Sequence, residues 1–125
     1  MAELKFRAWD KEENKMWNVE TLYIEDEWVK VNDGSIYGVT KDLVRSYCLM
    51  QSTGLKDITG TEIYEGDIVE LKYPYDKRIK TKGIIVWDES KACFGISMKE
   101  TTEQYELYRI TAENYLTVIS NEVLE

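Results

Sequence analysis

The sequence predicts a mainly β protein: a small SH3-like barrel or a twisted β-sandwich, with N-terminal hairpins and one or two short helical turns. Three observations lead there. Apolar and polar residues alternate over short runs such as Leu4–Trp9 and Tyr105–Tyr108, the period of a half-buried strand. Turn signals recur about every ten residues, a spacing typical of small all-β folds. One proline and seven glycines in 125 residues rule out a collagen-like or Pro/Gly-rich disordered chain. A chain of this length suits one domain and buries roughly two-thirds of its unfolded surface, enough for a core without staples.

Residues 4–9 read as the first strand, with Leu4, Phe6 and Ala8 on one face and Lys5, Arg7 and Trp9 on the other. Asp10–Lys15 is a charged turn, and Met16–Val19 completes a hairpin. Leu22–Ile24 and Trp28–Val31 follow as strands on either side of Glu25-Asp26-Glu27. Asp33 and Gly34 form a turn, because Asp-Gly favours positive φ, and Ile36–Val39 pairs back across it. Thr40 is placed to cap a helical turn, with Leu43, Val44, Tyr47 and Cys48 at helical spacing; the last three also suit a strand. Gly54, Gly60 and Gly66 mark turns, with Asp57 and Asp67 as carboxylates that bond turn amides. Ile68–Leu71 is a strand, broken at Lys72–Asp76 because Pro74 cannot donate to a ladder. Ile84–Trp87 and Ala92–Ile96 pair across Asp88–Lys91. Thr111–Asn114 is one helical turn, and Leu116–Ile119 is the last strand. Residues 1–125 form a single domain. Its mildest internal boundary, near residue 52, would divide N-terminal hairpins (1–52) from a small barrel (53–125).

Composition excludes several functions. No apolar run approaches the roughly 18 residues of a membrane span, and the charged, aromatic start is not a signal peptide. The expected location is the cytoplasm of a cell that keeps thiols reduced. There is no histidine, the commonest general base and metal ligand. Cys48 and Cys93 form no CxxC pair and sit in apolar contexts, so both read as small core residues, and no metal site or cofactor is expected. The glycines lack the Gly-Lys-Ser/Thr of a phosphate loop, and Asp57–Gly60 fails the calcium-loop pattern. The net charge of −8 disfavours nucleic acid on average and favours basic partners, or else only keeps the chain dissolved.

Three segments then carry a resemblance: Lys5–Asp10 with Lys15-Met16, Met50–Asp57, and Gly60–Val69. Lys82–Asp88 and Cys93–Gly95 continue it. In order and spacing the chain resembles the YopX family of small phage and prophage proteins. The tail departs from the family pattern: Val118–Asn121 fits, but Glu122–Glu125 replaces the expected Ile-Tyr-Glu-Asn. The resemblance implies a phage or prophage product acting in the cytoplasm of a Gram-positive bacterium. It also implies a mostly β fold that self-associates, in one version as a trimer. It supplies no reaction and no catalytic residue.

Candidate sites follow. Glu62–Asp67 gathers carboxylates that serve a cation or a partner, or else only the turn itself. Lys72, Tyr73, Tyr75, Lys77, Arg78, Lys80 and Lys82 mix cations with aromatics, as strand-binding barrels do, or make an exposed loop that blunts an edge. Fifteen aromatics exceed what a small core readily absorbs. Of these, Trp9 is either a partner contact or packed under the Glu12–Lys15 loop, and Trp87 is assigned to the core. No nucleophile or paired acid stands in a catalytic setting. The expected function is therefore a non-enzymatic module that binds a host or phage protein, in its sharper form as an acidic mimic of nucleic acid. The alternatives are single-strand binding through residues 72–82 and a purely structural homo-oligomer.

Overall fold

A computed structural model describes residues 4–72, 81–101 and 103–124. The chain divides into two compact units, Met1–Gln51 and Ser52–Glu125.

In the first unit, β1 (Phe6–Asp10), β2 (Lys15–Tyr23), β3 (Trp28–Asn32), β4 (Val39–Leu43) and the start of β5 (Tyr47–Lys56) form an antiparallel sheet in the order β4-β3-β2-β1-β5. Alternation on β3 sends Val29 and Val31 inward, where they join Ala8, Trp17 and Tyr47. Ala8 lies opposite Trp17 on one side and Leu49 on the other. A small residue on the central strand leaves room for the indole beside it. Between Val19 and Thr21 the β2–β3 register slips. This bulge has a purpose that the sequence period hides. Val19 opposes Val31 and Leu22 opposes Val29, so residues three apart share the inner face, which a regular strand forbids.

Two expectations are corrected in this unit. Thr40-Lys41-Asp42 starts no helix: these residues pair with Val31, Lys30 and Val29 as strand β4. Ladder pairing with β3 outweighs the weak helical spacing, and only a 3-10 turn at Val44–Ser46 remains. Trp9 leaves no polar face in solvent. It is 8% exposed, because β1 lies between β2 and β5 and buries successive residues on both faces.

In the second unit, the end of β5 pairs with β6 (Glu62–Tyr64). Strands β7 (Asp67–Leu71), β8 (Thr81–Asp88), β9 (Cys93–Met98), β10 (Gln104–Glu106) and β11 (Leu116–Asn121) form a second antiparallel sheet in the order β10-β9-β8-β7-β11. Helix α1 (Arg109–Tyr115) precedes β11 and buries Ala112. The core is Ile63, Val69, Leu71, Ile85, Ile96, Ala112 and Leu116. The sheet ends at β10 and β11, so it is open and does not close into a barrel. The physical reason is visible at β11. Its outward groups are taken by the 57–61 turn, where the Ile58 amide donates to the Leu116 carbonyl and the Val118 amide donates to Asp57.

Trp87 is not core: it is 46% exposed at the end of β8, beyond the layer built on Ile85, and stands edge-on to Phe94 at 5.1 Å. Cys48 and Cys93 are free thiols, half-buried rather than enclosed.

Candidate functional site

The described part of the basic loop consists of its two flanks. Lys72 is exposed and its amide donates to the Tyr115 carbonyl. Lys82 is exposed on β8 opposite Glu70. Tyr73, Tyr75, Lys77, Arg78 and Lys80 lie outside the described residues.

The turn residues form a repeated device. In Asp33-Gly34-Ser35, Asp57-Ile58-Thr59 and Asp88-Glu89-Ser90, one carboxylate oxygen accepts both the amide and the hydroxyl of the residue two places on. Gly34, Gly54, Gly60 and Gly66 all sit at φ between +77° and +88°, Gly54 within β5 where the β5–β6 register slips. Asp67 is buried and accepts the Tyr64 amide at 2.7 Å. Asp57 serves four donors, as many as Asp88 does. It accepts Thr59 and Thr61 amides at 2.9 Å each, the Thr59 hydroxyl at 2.7 Å and the Val118 amide at 2.8 Å.

These bonds shift titration. Burial raises the Asp57 carboxyl, but the donors from Val118, Thr59 and Thr61 outweigh it and hold the group below its usual range. The Lys15 ammonium and Ser35 depress Asp33, and Ser90 with Gln104 depress Asp88. Each folded value lies below the unfolded value of about 3.9, so each contribution is complete above that pH and is lost as the pH falls through the folded value. Urea midpoints are therefore expected to stay level from pH 7 to about 5 as far as these groups are concerned, and to fall steeply below about pH 4. An Asp57→Asn variant should show a shallower acid slope. An unchanged slope would sink the assignment.

A groove of about 480 Å³ lies within the first unit, between the β2–β3 turn and the chain from β4 to β5. Leu22, Tyr23 and Ile24 form one wall, Leu43, Val44 and Leu49 the other, with Glu27 and Arg45 at its rim. Ile24 is 79% exposed there. Lys41 stands 4.3 Å from the centre of the Tyr23 ring. Glu27 holds φ at +56°, an unusual conformation for a residue with a side chain. Sequence reading missed this groove because its walls come from three separate stretches and its inner residue, Leu22, is turned by the bulge. The break in alternation across Asn18–Tyr23 was the available signal.

The second unit also exposes aromatics, but carboxylates accompany them. The Tyr105 hydroxyl donates to Glu103, the Tyr108 hydroxyl donates to Glu106, and Lys91 is already paired with Glu106 at 3.0 Å. Such a surface repels phosphates. Among the described residues no group of His, Cys, Asp or Glu is arranged to hold a metal ion, and no helix is long and apolar enough to cross a membrane.

The family model described as YopX protein matches residues 5–122. Protein EF1440 from Enterococcus faecalis, known from a crystal structure, is similar over 100% of this chain and 98% of its own, with a TM-score of 0.70 and 26% identity. No curated protein matches the chain.

Proposed function

The chain belongs to the YopX family, and on that footing we propose that it is a non-enzymatic phage or prophage module that binds a host or phage protein through the groove of its first unit. The observation that carries this reading is the open apolar groove itself, with Ile24 presented to solvent at its mouth. An exposed aliphatic beside aromatic side chains is the usual composition of a protein-binding centre. The carboxylates of Asp33, Asp57 and Asp88 are engaged by the chain's own turns, which leaves a protein partner better supported than a mimic of nucleic acid.

The test is capture from host lysate with tagged protein, with nuclease present, in parallel with an Ile24→Asp variant that keeps the fold because its side chain is already in water. A partner retained by the native protein and reduced at least tenfold by the variant supports the groove. Capture that disappears with nuclease, or that the variant matches, overturns it.

A further inference from the structure

The groove is asymmetric in charge. The turn that forms one wall carries Glu25, Asp26 and Glu27 in succession, all exposed, and none of them forms an ion pair among the described residues. The other wall carries Arg45. Lys41 is held over the Tyr23 and Trp28 rings, at 4.3 and 5.7 Å from their centres, and does not reach an acidic partner among the described residues. Three adjacent carboxylates repel one another, and an apolar ligand alone would leave that repulsion in place. A ligand with cations at this end would relieve it, and Arg45 would keep those cations away from the opposite wall. Glu27 adopts the left-handed conformation, which glycine takes more readily than a residue with a side chain and which Asn14 and Ala92 share in other turns.

We propose that the groove takes a short linear segment of a partner protein whose apolar side chains fill the Leu22–Leu49 cleft and whose adjoining lysines or arginines meet Glu25, Asp26 and Glu27. This rests on the groove being the protein-binding surface and specifies the chemistry of what it binds. Apolar burial supplies the affinity, and the charges set orientation and salt dependence.

The test uses two labelled synthetic peptides of about twelve residues with the same leucine-containing centre, one flanked by arginines and the other by glutamates. Fluorescence anisotropy against the full chain should show the arginine peptide binding at least tenfold tighter, with affinity falling as salt rises. Its binding should drop tenfold or more in Glu25→Gln/Asp26→Asn/Glu27→Gln. Glu27→Gly should weaken binding while leaving the thermal midpoint equal or higher, a combination that a merely structural role would not give. Equal binding of the two peptides, or no binding of either, overturns the proposal. So does a mass in light scattering that rises with concentration and is abolished by Ile24→Asp, since that gives the groove to a second copy. If Ile24→Asp abolishes capture of a lysate partner while the triple substitution does not, the groove stands as a docking surface and the basic segment falls.

Discussion

Asp57→Ala is expected to destabilise the protein by about 3–5 kcal/mol, the range for removing one member of a buried, charge-assisted network. The carboxylate is buried and serves four donors, two of them amides of its own turn and one the Val118 amide, sixty-one residues away in sequence. Alanine leaves all four without their acceptor, and the Val118 amide is the hardest to resatisfy because the turn still covers that edge of β11. Asp57→Asn should fall between the two, because its amide nitrogen must then face an N–H donor at one end. Urea denaturation followed at Trp87, the lone tryptophan of the second unit, gives the midpoint, and amide exchange at Val118 gives the local effect. A loss below about 1 kcal/mol with unchanged exchange at Val118 would mean that water replaces the carboxylate and that the turn is not held by it.

Ile85→Ala is expected to cost about 2–5 kcal/mol. Ile85 is fully buried, lies opposite Ile96 across the β8–β9 ladder, and belongs to the same cluster as Val69, Leu71 and Leu116. The site collapses poorly, since its backbone carbonyl accepts the Gly66 amide at 2.8 Å and both neighbouring strands are fixed by the sheet. The substitution should therefore sit in the upper half of that range and speed amide exchange across β7, β8 and β9. Ile85→Val, which deletes one methyl group, should cost about 0.5–1.5 kcal/mol. A cost for alanine no greater than that for valine would show a loosely packed centre.

Much of this architecture was legible in local pattern. The strands at Ile84–Trp87 and Leu116–Ile119 follow from β-branched runs between turn residues, Ala92–Ile96 follows as the partner returning after the Asp88–Lys91 turn, and Thr111–Asn114 lies inside α1. What failed did so for identifiable reasons. Thr40–Asp42 became strand because β3 offered a ladder that the local sequence cannot reveal. Alternation put Trp9 on the face of Lys5 and Arg7, either as a partner contact or packed under the Glu12–Lys15 loop, but alternation reports two faces only when one of them is open, and a central strand can close both. Trp87 was assigned to the core because its run is apolar, although the layer ends at Ile85. The turns at Asp33, Asp57 and Asp88 were all legible, but the Asp-x-Ser/Thr hydroxyl bond that repeats in the three of them was not. The groove needed three distant stretches and a bulge, so its position is a property of the register rather than of any one motif.

Two of the four outer strands, β4 and β11, have an outward amide taken by a carboxylate. Asp57 accepts from Val118 on β11, and Asp42 accepts from Leu43 on β4 at 2.7 Å. The Leu43 amide points away from β3, because the next residue, Val44, is the one that bonds back to the Glu27 carbonyl. Unoccupied strand edges recruit other chains into growing fibrils, and a charged acceptor already bound to the edge amide removes the first bond such recruitment would make. Protonation of Asp57, which its amide and hydroxyl donors hold below the usual carboxylate range, weakens the acceptor on β11. Acid exposure therefore uncovers the β11 edge, and a sample stored at low pH faces fibril growth from that edge as well as unfolding.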